Sequence, residues 1–148
     1  MDHVVYVDAK AKELEQLLSG TKSMIIRGAS GRKIPFDRVQ SGDLLYLINN
    51  NAEGVIKAKA QVKHVMQLGK LSETESTQMI EEYQPKLQLT AAQMKRWAGK
   101  RYLVLITVEP ATPVEPFAID KSAYGNMDDW LSVGDIATVR RAAPQLVT

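Results

Sequence analysis

The chain has 148 residues, a formal net charge of +2 and no cysteine, which excludes disulfide frameworks, cysteine-zinc sites and thiol nucleophiles. Its 45% hydrophobic and 24% charged residues are ordinary globular usage and predict one folded domain over residues 1–148. The first ten residues carry two acids, and no apolar run approaches the ~20 residues of a bilayer span, so neither a signal peptide nor a membrane partner is predicted. A chain without cysteines suits the reducing cytoplasm, where we expect it to act.

The first third of the chain predicts a strand, a helix and two more strands. The run VVYV (residues 4–7) is β-rich, and Asp8 can cap a helix that Gly20 ends. SMIIR (residues 23–27) and DLLYLI (residues 43–48) predict strands on either side of a loop rich in Gly and Pro.

The most regular pattern lies in GVIKAKAQVKHV, residues 54–65. Apolar residues occupy the even positions from 56 to 62, whereas the odd positions include Lys57, Lys59 and Lys63. A period of two indicates a half-buried antiparallel strand. Because edge strands also carry lysine against aggregation, both a binding role and a solubility role stay open for this lysine stripe.

Two helices follow. Ser72 with Glu75 and Thr90 with Gln93 have the spacing of capping boxes. We expect the first helix to end near Gln84-Pro85 and the second at Gly99.

The remaining strands complete the predicted fold. RYLVLITVEP (residues 101–110) predicts a central strand, VEPFAI (114–119) a shorter one and DIATVRR (135–141) the last. The order β-α-β-β-β-α-α-β-β-β lacks the alternation of a parallel sheet. It predicts an α+β, mostly β fold, an antiparallel barrel with inserted and flanking helices.

Cations concentrate around the second predicted strand. Between Gly20 and Lys63, eight cations stand against three acids. Arg offers a planar fork to a phosphate or a base edge, and Lys offers a point charge. A rim that contacts an anion is one interpretation, and solubilising charge on a solvated edge is the other. The candidates are Lys22 and Arg27 at the two ends of the strand, and Arg32 and Lys33 on the loop.

Few combinations of residues in the sequence are typical of a catalytic site. Lys22 stands beside Ser23, and a desolvated lysine can act as a base, although adjacent strand residues point to opposite faces. There is no P-loop, GxGxxG or HExxH motif. The two histidines, His3 and His64, are distant in sequence, so no metal or cofactor is predicted.

YGNMDDW, residues 124–130, is a second candidate site. Tyr124 and Trp130 offer aromatic faces on which a base can stack, and Asn126 offers a paired donor and acceptor. A turn whose Trp packs in the core is the alternative. We expect Trp97, at helical spacing from Met94, in the core.

SGTKSMIIRG, FDRVQSGDLLYLI and GVIKAKAQVKHV resemble the ASCH domain of the PUA-like superfamily, which is related to the EVE and YTH domains. In that family a helix ends in Gly-x-Lys, here Gly20 and Lys22, and the next strand closes on Arg, here Arg27. The resemblance extends through residue 65. It implies a pseudo-barrel whose cleft is lined by the Gly-x-Lys…Arg segment.

The resemblance also implies two kinds of activity. Some relatives bind RNA or modified bases. Others are amidohydrolases that remove an acyl group from a modified cytidine with a Lys, a Thr and a Glu. Lys22 matches that Lys, but Ile25 stands where the Thr is expected, and an isoleucine can neither attack a carbonyl nor relay a proton.

These observations predict a non-catalytic module that binds RNA or a modified nucleotide. An amidohydrolase of small acylated nucleosides such as acetylated cytidine, with Lys22 as the base, is the alternative, so whether the protein is an enzyme stays open. A module for a protein or a small metabolite is the third hypothesis. The predicted contacts are Lys22, Ser23, Arg27, Arg32, Lys33, Tyr124, Asn126 and Trp130.

Overall fold

The secondary structure follows the predicted order of strands and helices up to the last strand. The computed structural model describes residues 1–125 and 127–141. Its elements are β1 (Asp2–Val7), α1 (Glu13–Ser19), β2 (Met24–Ala29), β3 (Leu44–Asn49), β4 (Val55–Leu68), α2 (Glu73–Leu87), α3 (Ala91–Trp97), β5 (Tyr102–Val108), β6 (Thr112–Ala118), β7 (Trp130–Gly134) and a 3-10 helix (Ile136–Thr138).

The last strand lies earlier than predicted. The segment 135–141 forms the 3-10 helix and one isolated bridge between Arg140 and Ile119, rather than a strand. The Asp135 carboxylate accepts the Ala137 amide hydrogen at 2.9 Å. Such a local side-chain bond favours a helical turn over a sheet ladder, so the strand is formed by the preceding residues, Trp130–Gly134.

Local capping signals set the helix ends. Both capping boxes form, with Ser72 and Thr90 as N-caps. α1 begins at Glu13, later than expected, because Asp8 caps a preceding turn by accepting the Ala11 amide hydrogen at 3.1 Å. Gly20 ends this helix at a φ of 78°, as predicted.

The strands form one curled sheet in the order β2-β5-β4-β3-β1-β7, and β6 pairs with β4. All pairs are antiparallel except β1 with β3. The 14-residue β4 pairs with β3 and β6 through its first half and with β5 through its second half. The sheet therefore turns at β4 and closes into a half-barrel, and β5 is central because it pairs on both sides.

Three hydrophobic clusters stabilise this arrangement. The largest fills the concave side of the sheet and includes Leu17 and Ile25. A second packs α2 and α3 against β2 and β5, with Trp97 among its members, as predicted. A third covers Val4 and Ile48 on the outer side. None of the helices in the described part of the chain has both the length and the hydropathy of a bilayer span.

Candidate functional site

Arg27 links β2, at one end of the strand order, to β1, the strand next to the other end. Its Cα lies on the terminal strand β2, and its Nη2 donates to the Tyr6 carbonyl on β1 at 2.6 Å. Nη1 donates to the Ile26 carbonyl at 2.8 Å. Since the residue is only 8% exposed, these two bonds fix the guanidinium group at the seam of the half-barrel.

The third guanidinium nitrogen of Arg27 is incompletely satisfied. Nε lies 3.3 Å from Asp129 Oδ2, but it has no hydrogen-bond partner of acceptable geometry among the described residues. A buried donor in that state costs about 1–3 kcal/mol. The same Asp129 oxygen also accepts from Arg96 Nη2 at 3.3 Å. One carboxylate oxygen thus serves two guanidinium groups, at distances longer than the 2.7–2.9 Å of a strong charge-assisted bond.

These residues border a cavity of about 200 Å³, the basic chamber. Of the described residues that line it, four are cations and one is an acid, so this lining carries a formal charge of +3. A concave surface with one sign of charge concentrates anionic ligands. The lining comprises Arg27, Gly28, Ala29, Gly31, Lys33, Ile34, Phe36, Arg96, Trp97, Lys100, Tyr102, Val104 and Asp129.

Aromatic rings form part of the wall of the basic chamber. Phe36 and Tyr102 meet edge to face, with centroids 5.7 Å apart. Arg96 lies over the Trp97 ring, with its Cζ 4.5 Å from the centroid. The Arg96 side chain is 59% exposed, whereas Trp97 is held in the second cluster. The chamber therefore offers aromatic faces and an exposed guanidinium plane, on both of which a base can stack.

A second cavity of about 110 Å³, the acidic chamber, adjoins the first. The two share Arg27, Arg96, Trp97 and Asp129 as walls. The further lining of the acidic chamber includes Asp8, Glu13, Asn50 and Gln93.

Lys22 is buried behind the acidic chamber. Its side chain is 0% exposed, and Nζ lies 3.3 Å from Glu13 Oε2 and donates to the Leu87 carbonyl. Glu13 Oε1 accepts the Asp8 amide hydrogen at 2.9 Å. Burial lowers the pKa of Lys22, and the charge of Glu13 opposes that shift. Lys22 is not among the lining residues of either chamber; Glu13 stands between it and the acidic chamber.

The loop cations lie at the mouth of the basic chamber. Lys33 is one of its lining residues. Arg32 is exposed, and its Cζ lies 5.6 Å from the centroid of Phe36, a lining residue. Ser23 is half-buried, and its backbone bonds to Lys86 and Val108.

Tyr124 and Trp130 do not line the basic chamber. Tyr124 packs against the third cluster, and Asn126 lies outside the described residues. Trp130 is 4% exposed, and its indole Nε1 donates to His3 Nδ1 at 3.0 Å. Since Nδ1 accepts, the His3 proton is on Nε2, which donates to Asp43 Oδ2 at 2.8 Å. Burial lowers the pKa of His3, against the opposing effect of Asp43.

Trp130 nevertheless borders a small side pocket of the cleft, together with Lys33 and Asp129. The lysine stripe of β4 is partly paired, with Lys57 Nζ 2.7 Å from Glu53. Within residues 1–125 and 127–141, no group of three or more His, Asp or Glu side chains is placed to hold a metal ion.

Sequence reasoning missed the part of the site that follows α3. The segment KRWAGKRY, residues 95–102, contributes Arg96, Trp97, Lys100 and Tyr102 to the basic chamber. Its alternation of basic and aromatic residues is the signal that could have identified it, because stacking platforms beside positive charge are typical of nucleic-acid binding.

Comparison with known proteins shows the fold. No protein-family model and no curated protein sequence matches this chain. The crystal structure of ASCH from Zymomonas mobilis aligns over 95% of this chain and 96% of its own, at 11% identity and a TM-score of 0.65. A mutant ZmASCH protein from the same organism aligns over 79% of this chain and 73% of its own, at 14% identity and a TM-score of 0.59. This chain therefore has the fold of the ASCH domain proteins, as its motifs predict.

Proposed function

We propose that the cleft binds single-stranded RNA or a modified nucleotide, and that the protein acts as a non-catalytic recognition module in the cytoplasm. The observation that carries this proposal is the environment of Arg27. Its buried guanidinium has an Nε without a hydrogen-bond partner among residues 1–125 and 127–141, and the described lining of the chamber carries a charge of +3 and includes three aromatic rings. Phosphate oxygens would satisfy the guanidinium groups, and the rings would stack on a base.

The volume of the basic chamber limits the size of the ligand that it can hold. At about 200 Å³ it is smaller than the ~300–1,000 Å³ of pockets for drug-sized molecules. One nucleotide or one base with its phosphate suits this space, whereas a duplex does not. Recognition of single strands by splayed bases is the usual mode of sequence-specific RNA binding.

Each predicted residue takes a role in the proposal according to its position. Arg27 and Lys33 contact phosphate directly, and Arg32 extends the positive field at the mouth of the chamber. Lys22 and Ser23 support the wall rather than touch the ligand. Trp97 and its neighbours in the basic chamber take the stacking role expected of Tyr124 and Trp130, whereas Asn126 lies outside the described residues and stays a prediction.

The test is binding of a labelled single-stranded RNA, followed by fluorescence anisotropy across a salt series. The affinity falls steeply with salt, because binding releases counterions. Lys33→Glu combined with Lys100→Glu weakens binding to every sequence. The matched control is Lys59→Glu combined with Lys63→Glu, which reverses two exposed lysines of β4 outside the cleft and leaves the affinity near that of the parent protein. Salt-independent binding, or equal losses in both proteins, would refute the proposal.

The amidohydrolase remains a second candidate because of Lys22. Burial lowers its pKa, which is the property a lysine base needs, and its partner Glu13 lines the acidic chamber. Incubation with acetylated cytidine, followed by chromatography, tests this candidate. Turnover that disappears in Lys22→Ala supports it. No turnover by the parent protein, or equal turnover by both, eliminates it.

A further inference from the structure

We propose that the cleft selects a terminal phosphate monoester, as on a nucleoside monophosphate or the 5′ end of an RNA, over the internal phosphodiesters of a strand. This inference rests on the proposed function, and it names the chemical group recognised. It depends on Asp129, which occupies the position between the two arginines where a phosphate would bind.

Asp129 is a poor match for the two arginines that it bridges. A single oxygen, Oδ2, lies 3.3 Å from Arg27 Nε and 3.3 Å from Arg96 Nη2. With this contact, Arg27 Nε has no hydrogen bond of acceptable geometry to any described residue. A terminal phosphate offers three oxygens, so different oxygens can accept from the two guanidinium groups.

The Asp129 side chain can leave without disturbing the sheet. Its backbone carbonyl accepts the Tyr6 amide hydrogen at 3.0 Å, and the next residue, Trp130, begins β7. The Asp129 side chain is 28% exposed. Rotation about the side-chain bonds therefore frees both arginines while the main chain stays paired.

Charge then decides which anion displaces the carboxylate. An internal phosphodiester carries one negative charge, the same as Asp129, and so gains little by replacing it. A terminal phosphate monoester carries about −1.5 to −2 at neutral pH. The remaining cations of the chamber, Lys33 and Lys100, favour the more highly charged group. The small volume of the chamber also suits the end of a strand better than a strand passing through.

The experiment compares one single-stranded RNA with a 5′-phosphate and with a 5′-hydroxyl. We expect the phosphorylated RNA to bind about tenfold more tightly or better, the effect of one or more additional charge-assisted hydrogen bonds. The difference shrinks below the second phosphate pKa of about 6, where the monoester loses its second charge. The 5′-hydroxyl RNA, measured at the same two pH values, corrects for any change in the protein.

Two variants test the role assigned to Asp129. Asp129→Asn removes the competing charge, so the 5′-hydroxyl RNA binds more tightly and the preference for the phosphorylated RNA decreases. Arg96→Lys keeps the charge but loses the fork on a side chain that is 59% exposed, so it folds normally and also reduces the preference. An unchanged preference in both variants overturns the role of these residues.

Adenosine monophosphate, adenosine and inorganic phosphate separate a free nucleotide from an RNA end. Binding of adenosine monophosphate but of neither RNA upholds selection of a terminal phosphate and restricts the function to mononucleotides. Equal affinity for the two RNAs overturns the inference and leaves RNA binding intact. Failure of all five ligands to bind overturns both proposals.

Discussion

The buried pair of Lys22 and Glu13 gives the most quantitative prediction. Their side chains are 0% and 7% exposed, and Nζ and Oε2 are 3.3 Å apart. Glu13→Gln preserves the shape and the acceptor of the Asp8 amide hydrogen, but it leaves the lysine charge without its counterion. Removing one partner of a buried pair costs about 3–5 kcal/mol.

Deprotonation of Lys22 sets an upper limit to this cost, because a neutral lysine no longer carries a buried, unpaired charge. From its ordinary pKa of 10.5, deprotonation at neutral pH costs about 1.4 kcal/mol per pH unit, or about 5 kcal/mol in all. In the variant the pKa of Lys22 is lowered further, so the unfolded chain binds more protons than the folded protein. Stability therefore increases with pH up to 10.5, and the deficit of Glu13→Gln shrinks over the same window.

Thermal unfolding at several pH values measures the effect. Each kcal/mol of lost unfolding free energy lowers the melting temperature by roughly 2–4 °C in a chain near this length. The melting temperature near neutral pH therefore falls by about 6 °C or more. The matched control is Glu53→Gln in the exposed pair with Lys57, whose side chains are 42% and 40% exposed; its melting temperature stays close to that of the parent protein. Glu13→Leu with Lys22→Met removes both charges and regains most of the loss. A Glu13→Gln deficit no larger than that of Glu53→Gln, or one independent of pH, contradicts this reasoning.

Three further predictions concern the fold around the cleft. Because the pKa of His3 is lowered from 6.5, its protonation favours the unfolded chain, and the urea midpoint decreases as the pH falls below 6.5 and the Trp130 indole loses its acceptor. A midpoint that does not decrease in this window refutes the prediction. Gly28→Ala places a Cβ 2.9 Å from a leucine carbon, so the melting temperature drops, and an unchanged value means that the strand can shift. Ser72→Ala and Thr90→Ala each remove a helix N-cap and lower the free energy of unfolding by about 1 kcal/mol. Denaturation midpoints equal to that of the parent protein contradict this prediction.

Patterns confined to one element could be predicted from the sequence. The alternation of β4 and the caps Ser72 and Thr90 depend on neighbours a few residues away, and the motif that ends at Arg27 was sufficient to suggest the fold. The displaced last strand shows the limit, since Asp135 forms a local turn that competes with the sheet. Even there, the error is a shift along the chain rather than a different architecture.

The cleft could not be predicted in the same way. Arg27 and Asp129 are far apart in sequence and meet only because the sheet curls. Trp97 was expected in the core, and it is there, but its ring also forms a wall shared by both chambers. No pattern within a single element reports such a double role. Lys22, by contrast, pairs with a residue close to it in sequence, Glu13 of the preceding helix.

The most direct test follows the side chains of the cleft by heteronuclear NMR during titration with a short 5′-phosphorylated RNA. Phosphate binding between the arginines shifts the Arg27 Nε–H signal, and stacking shifts the Trp97 indole signal, both saturating at the affinity measured by anisotropy. The signals of α2 residues remote from the cleft stay in place. Saturable RNA binding that leaves both cleft signals unmoved would contradict the proposal that this cleft is the binding site.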